Sequence, residues 1–568
     1  MAALDPYFAR ADIAYFSMEI ALRPEMHTYS GGLGVLAGDM VRSCADLELP
    51  IVFVTLVSRA GYVRQSIDAD GRQIADPDPW EPERWAVPLD AMVAVEIEQR
   101  PVWIRSWLYA VTSPGGGRVP VVLLDTNVDH NTPADRSITD ALYGGDDTYR
   151  LMQEIVLGIG GARMLRALGF AVETWHMNEG HAALLTLDLL RAFPKTHRDP
   201  DRDRYIYDID RVRECCVFTT HTPVEAGQDQ FSYDVAERLL DGFIEIDQVR
   251  LLAGEDRLNM TRLALNLSRY VNGVAERHAE TTRRMFPGYQ VRAVTNGVHL
   301  PTWTHPRIAA LLHELLPSWS HEPELLTRAE RLDDAALWQA HQAAKQDLIR
   351  RAGELTGVAL RPDWPILGFA RRMTGYKRPN LLFTDPARLR AIHARFPFQI
   401  VIAGKAHPRD EPGQDLIALI HAALHDLRDQ IPGTFLPGYD MTLAQLLVAG
   451  SDVWLNTPLP PLEASGTSGM KAAANGVLNL SVLDGWWVEA CVHGLNGWGF
   501  GSTVSDATDP AAAHATELYR LLEDEVLPCY HGDRRRWVNM MKHAFGQIAS
   551  YFNTQRVLRR YATEAYMR

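Results

Sequence analysis

The chain has 568 residues, 46% hydrophobic and 23% charged, with a formal net charge of −14, so it is too long for one hydrophobic core and has the composition of a globular protein. The acidic balance excludes a general nucleic-acid binder, which needs a basic field over the phosphates, and no run approaches the roughly 18 apolar residues of a membrane helix. Five cysteines, of which only Cys215 and Cys216 lie close together, form neither a disulfide framework nor a zinc-site spacing.

MAALDPYFARADIAYF opens the chain without a basic segment followed by an apolar one, so no export signal is expected and the cytoplasm is the expected location. HTYSGGLGVLAGD follows from position 27, where Gly31, Gly32 and Gly34 open a helical pattern. Glycines there let a ligand approach the backbone at a helix N-terminus that favours an anion, although a tight turn without a ligand is the commoner meaning of such a run. From there, short apolar runs alternate with longer amphipathic stretches: PIVFVTLVSR (50–59), CVFTTHT (216–222), PILGFARR (365–372), QIVIAGKAHP (399–408) and DVWLNTP (452–458). This is the pattern of βα units in parallel sheets, whose ligands bind beyond the carboxyl ends of the strands.

WHMNEGH (175–181) lacks the i, i+4 histidine pair of a zinc protease helix, and no metal is expected. His221, at the end of FTTH, is placed either to bond a sugar hydroxyl or to serve as a satisfied structural histidine. A mostly helical stretch including ALWQAHQAAKQDLIRRAGEL separates VTNGVHL from the strand at 365. The expected domains are therefore 1–305 and 306–545, with 546–568 packing back on the first.

GFARRMTGYKRP sets Arg371, Arg372, Lys377 and Arg378 beyond a strand, where mutual repulsion asks for one or two bound phosphates, although an exposed basic turn reads equally well. Arginine suits forked phosphate contacts, and lysine supplies a point charge. EASGTSGMK (463–471) lacks the P-loop spacing, yet the backbone N–H groups of Gly466 and Thr467 can hold a phosphate ahead of a helix. Lys471, about one turn inside that helix, can form a Schiff base with pyridoxal phosphate. A surface loop with a solvated lysine is the plain alternative.

Together EASGTSGMK and GYKRP, with SGGLG, NEGH, HTP and TNG in the family's order, resemble the α-glucan (glycogen, starch and maltodextrin) phosphorylases, over about residues 13 to 500. MNEGH, SGTSGMKAAANG and LNLSVLDGWW look closest to the compact bacterial and archaeal branch. The resemblance implies an α/β, glycosyltransferase-B-like fold of two Rossmann-like parallel-sheet domains, an N-terminal glucan side and a C-terminal pyridoxal-phosphate side, with the active site in the interdomain cleft. It implies phosphorolysis of an α-1,4-glucan by inorganic phosphate, giving glucose 1-phosphate with retention, or the reverse. Carried over by position, Lys471 matches the Schiff-base lysine, and Arg372 and Lys377 match groups that hold the substrate phosphate. Arg371 stands where many members have a lysine near the cofactor phosphate, and Gly32, Gly466 and Thr467 match backbone phosphate donors. Glu463, Ser465, His221, Asn296 and Tyr376 match contacts to the glucosyl unit, and Tyr439 matches a tyrosine near the cofactor ring.

Ser468-Gly469, Thr374-Gly375 and Ser30 depart from the long animal enzymes, which have Gly-Asn, His-Glu and Asn there. No regulatory phosphorylation extension is expected, and a homo-oligomer is compatible with the sequence. Two rivals share the sugar-binding fold. A nucleotide-sugar glucosyltransferase of the glycogen-synthase type carries glutamates eight positions apart, but here Glu463 is followed eight residues later by Lys471. A non-catalytic glucan-binding protein would leave Lys471, Arg372, Lys377 and His221 together without a purpose.

Overall fold

The computed structural model describes residues 4–5, 8–195, 204–224, 227–501 and 510–567. The chain forms two compact units, the first of Met1–Tyr62, Pro77–Val294 and Leu558–Arg568, the second of Val63–Asp76 and Thr295–Val557. These limits differ from the linear division at 305 and 545 in three places. The change of unit falls after Val294, the return falls at Leu558, and fourteen residues near the N-terminus, 63–76, belong with the second unit.

The first unit is built on nine strands: β1 Ile13–Phe16, β2 Ile51–Leu56, β3 Val87–Ile97, β4 Arg100–Thr112, β5 Arg118–Asp125, β6 Thr174–Asn178, β7 Cys216–Thr219, β8 Tyr270–Gly273 and β9 Arg292–Ala293. Their order across the sheet is β9-β8-β7-β6-β1-β2-β5-β4-β3. The seven strands from β9 to β5 pair in parallel, and β4 and β3 close that edge as an antiparallel meander. Every residue of IAYF in β1 and IVFVTL in β2 is buried. Helices cover both faces of a parallel sheet, which is why these strands read as unbroken apolar runs.

From Leu558 the chain completes this unit with two tyrosines. The Tyr561 hydroxyl lies 3.0 Å from Thr219 Oγ1 and accepts from Asn272 Nδ2 at 3.1 Å. His176, on β6, sits between Tyr566 Oη at 2.7 Å and Thr219 Oγ1 at 2.8 Å, and burial pulls its pKa down to about 3.

In the second unit the strands are β10 Ile366–Ala370, β11 Gln399–Ala403, β12 Gly433–Leu436, β13 Val453–Asn456, β14 Leu478–Val482 and β15 Gly497–Phe500. All are parallel, in the order β12-β11-β10-β13-β14-β15. This is the doubly wound order, whose direction of winding reverses between β10 and β13. Crevices form at that reversal, so whatever follows β10 and β13 is placed to bind.

The 63–76 segment is a small antiparallel hairpin that joins this unit through its glutamines. Gln65 Nε2 donates to Gly404 O at 2.8 Å, and Gln65 Oε1 accepts from Gly438 N at 3.0 Å. Gln73 makes a matching pair of bonds with Ala406. These amides satisfy backbone groups in the turns after β11 and β12, a partnership that sequence spacing cannot show.

Candidate active site

Residues 371–378 leave the end of β10, and residues 457–467 leave the end of β13, so the two basic and acidic segments meet at the winding reversal. Glu463 is buried there at 8% exposure. Its carboxylate accepts from Lys377 Nζ at 2.6 and 2.7 Å and from Arg371 Nη2 at 2.7 Å. Burial by itself raises a carboxyl pKa, yet the Arg371 and Lys377 charges hold that of Glu463 at about 2. Burial lowers Lys377 to about 7, with Arg371 and Arg372 adding repulsion and Glu463 opposing them. Arg371 Nη1, Thr374 Oγ1 and Ser465 Oγ are buried and have no hydrogen-bond partner among the described residues. A buried guanidinium nitrogen and two hydroxyls left unsatisfied ask for a polar ligand.

Arg378 behaves differently from its neighbours. With a left-handed backbone, φ 45°, it turns its side chain to Thr457 O at 2.8 Å, Pro458 O at 2.6 Å and His514 Nδ1 at 2.9 Å. It braces the loop after β13, so three of the four expected cations are left for an anion. Arg372 is exposed, and Tyr376 is exposed at 36% with Lys377 Nζ 4.4 Å from its ring centroid.

The loop after β13 reaches α1, Ser468–Ala473, through Gly466 at φ 83°, a conformation that strains any residue with a Cβ. A Cβ at Gly466 would also stand 3.2 Å from the Glu463 carboxyl. The N–H groups of Gly466 and Thr467 make no hydrogen bond to the described residues. Lys471, on α1, is buried at 8% exposure with Nζ 4.1 Å from the Trp303 ring centroid. Tyr439 is half-buried with its hydroxyl pKa pushed up by burial, the Arg371 charge pulling the other way. Asn296 is buried, and its side-chain amide makes no hydrogen bond to the described residues.

In the first unit, β1 and β6 mark the corresponding reversal of winding. Glu19 follows β1, and its carboxylate accepts from Ser30 N at 2.5 Å, Gly31 N at 3.1 Å and the Tyr143 hydroxyl at 2.9 Å. Gly32 then begins the helix Gly32–Asp46, and a Cβ there would meet nothing within 4 Å. The steric demand falls on Gly34, where a Cβ would lie 2.7 Å from Glu19 Oε2. His221 follows β7 with Nε2 2.6 Å from Asn178 Oδ1. Burial pulls its pKa to about 3, so it is neutral.

Sequence reading did not pick out Asp484, whose Oδ2 accepts from Glu463 N at 3.0 Å, nor Glu19, Asn178 and Glu179, which set the backbones around Gly32 and His221. Asn178 and Glu179 lie inside NEGH and Asp484 inside LNLSVLDGWW, so only Glu19 falls outside the stretches already quoted. Among the described residues no group of three or more His, Cys, Asp or Glu is arranged to hold a metal ion, and no helix is long and apolar enough to cross a membrane.

Residues 224–528 match the sequence model of a family described as carbohydrate phosphorylase. The chain is 38% identical to a maltodextrin phosphorylase of Thermococcus litoralis, over 98% of this chain and 70% of that protein. It is 38% identical to a glycogen phosphorylase of Mycobacterium tuberculosis, with the same two coverages. A glycogen phosphorylase of Aquifex aeolicus is 35% identical over 98% of this chain and 86% of its own length.

Proposed function

The chain belongs to the carbohydrate phosphorylase family, whose fold is the glycosyltransferase-B type with two doubly wound halves, and on that premise we propose that it is an α-glucan phosphorylase. It moves the glucose at the non-reducing end of an α-1,4-glucan to orthophosphate, giving α-D-glucose 1-phosphate with retention. The observation that carries this reading is the buried carboxylate of Glu463 clamped by Arg371 and Lys377 at the strand ends. Such a clamp holds two cations ready at a place where a phosphate dianion competes for both.

The residues present fit pyridoxal phosphate. Gly466 and Thr467 offer two N–H groups without partners among the described residues, Arg371 offers Nη1, and Lys471 lies one helical turn further on. Lys471 would hold its aldehyde, and Arg371, Gly466 and Thr467 its phosphate, with Tyr439 near the ring. When bound, this group supplies a second phosphate that exchanges a proton with the substrate phosphate near neutral pH.

The side chains of the protein do the rest. Arg371, Arg372 and Lys377 gather negative charge that would otherwise repel. As orthophosphate takes the Lys377 and Arg371 donors, Glu463 is released as an acceptor for sugar hydroxyls. Ser465, Asn296 and Tyr376 join it in orienting the glucosyl unit, and His221, in the first unit, bonds a sugar hydroxyl. The substrate phosphate gives its proton to the departing glycosidic oxygen, that C–O bond breaks, and a phosphate oxygen bonds the same face of the sugar carbon. No protein nucleophile is required. A nucleotide-sugar transferase is not favoured, because Lys471 stands where its second glutamate belongs.

The test is direct. Purified protein with maltodextrin and orthophosphate releases glucose 1-phosphate, and Lys471→Ala abolishes both that release and the absorbance of bound cofactor. Full activity in Lys471→Ala overturns the cofactor assignment. A colourless wild-type protein that consumes a nucleotide-glucose overturns the phosphorylase reading.

A further inference from the structure

The short chain of side chains behind His221 has one self-consistent set of proton positions. Ser17 Oγ donates its only hydrogen to Glu19 O at 2.9 Å, a carbonyl that can only accept. Toward Asn178, then, Ser17 is an acceptor, and it receives Asn178 Nδ2 at 3.1 Å. That orients the amide with Oδ1 facing His221 Nε2 at 2.6 Å. An amide oxygen cannot donate, so the proton between them sits on Nε2.

We propose that Ser17 and Asn178 are positioning residues that fix His221 as the neutral Nε2–H tautomer, presenting Nδ1 as a hydrogen-bond acceptor for a sugar hydroxyl. The claim rests on the glucosyl-binding role of His221 and adds its polarity. Among the described residues Nδ1 has no hydrogen-bond partner, so its lone pair is available. A group that donates, such as a hydroxyl, pairs with it, whereas a phosphate oxygen meets lone pair against lone pair.

The backbone beside it is held with equal care. Glu179 adopts φ 75°, ψ 166°, unfavourable for a residue with a side chain. Its carboxylate accepts from His221 N at 2.7 Å, Thr222 Oγ1 at 2.9 Å and Gly180 N at 2.9 Å, which spans the ends of β6 and β7. Charge around the ring does not favour an imidazolium. His176, His181 and His278 face it, all with pKa values lowered by burial to about 3 or 4, the Glu179 carboxylate is spent on backbone and hydroxyl donors, and Asp229 pairs with Arg150 and His181.

Full-length protein labelled with 15N-histidine reports the tautomer through long-range 1H–15N correlations, with the His221 signals identified by their loss in His221→Gln. The expected wild-type spectrum shows a protonated Nε2 and an unprotonated Nδ1 throughout pH 5.5–8, a range in which an ordinary histidine with pKa about 6.5 titrates. Asn178→Asp replaces the amide by a carboxylate that favours the imidazolium and fills Nδ1 with a proton. In that variant kcat/KM for maltodextrin becomes lower by about tenfold at pH 6 than at pH 9, a dependence beyond that of wild type. Asn178→Ala lowers turnover without adding that acid limb, which separates the tautomer from a general loss of packing. Wild-type His221 protonated on Nδ1, or on both nitrogens at pH 7, overturns the proposal, as does an Asn178→Asp profile parallel to wild type. The nitrogen spectrum decides the tautomer without catalysis. Failure of wild-type protein to release sugar phosphate counts instead against the activity.

Discussion

Lys377 is the group through which acidity reaches the candidate phosphate site. Burial lowers its pKa to about 7, so its charge is present below neutrality and fades as pH rises. The alkaline limb of kcat/KM for phosphate should therefore fall near neutrality, since that quantity reports the free enzyme. Lys377→Arg keeps a charge at all working pH values. It should extend that limb toward higher pH, even while its fork fits Glu463 less well and lowers the maximum. Glu463→Gln removes the competing carboxylate. Steady-state kinetics should show kcat down by about 100-fold or more with KM for phosphate unchanged or lower, and a raised KM with unchanged kcat would contradict the exchange of partners between phosphate and sugar. Lys471, Lys377 and Glu463 could be singled out as candidates because each sits in a run unusually rich in glycine and charge. Asp484, Glu19 and the outward turn of Arg378 were not, because their partners lie far off in sequence and are chosen by the sheet topology.

Among the elements, the parallel strands were plain in the sequence and the antiparallel ones were not. IVFVTL and ILGFA are buried along their whole length, and continuous apolar runs followed by amphipathic segments mark them. β3 and β4 mix exposed and buried positions, with Val87 half exposed at the sheet edge, and neither gives such a run. The hairpin at 63–76 carries its information in two glutamine amides, which have no periodicity to detect. The glycine loop was recognisable as a loop, but which of its glycines is hemmed in by neighbours was not. A methyl group at Gly32 enters open space, whereas Gly34→Ala would press on Glu19 and on Tyr29 Cβ at 2.7 Å. Gly34→Ala should lower stability by about 1–3 kcal/mol, read from denaturant unfolding, with Gly32→Ala near wild type in the same measurement.

For the molecule as a whole, a buried ionic cluster fastens the second unit away from the chemistry. Asp452 accepts from His341 Nε2 at 2.9 Å and Ile366 N at 2.8 Å, pairs with Lys345 Nζ at 2.9 Å, and is fully enclosed. Burial would raise the Asp452 pKa, but Lys345 and His341 hold it at about 2, below the usual 3.8. A depressed carboxyl contributes stability above its unfolded value and loses it as pH falls through the folded one. Unfolding monitored by tryptophan fluorescence should thus show a loss of stability between pH 4 and 2 that Asp452→Asn lacks. The same variant should be less stable at pH 7 by about 3–5 kcal/mol, since the buried Lys345 loses its only close carboxylate among the described residues. The two-domain plan could be anticipated from alternating strands and helices, while the exact itinerary of the chain could not. That itinerary depends on hydroxyls at 561 and 566 finding Thr219 and His176, pairs that no local pattern announces.

Those last eleven residues, 558–568, carry a lesson about biosynthesis. While the ribosome is making the second unit, the half of the protein made first lacks the tyrosines that finish its interior, because they follow that unit in the chain. Completion of the earliest-made half thus waits until the whole second unit has been translated, leaving chaperones a window in which that half stays unfinished.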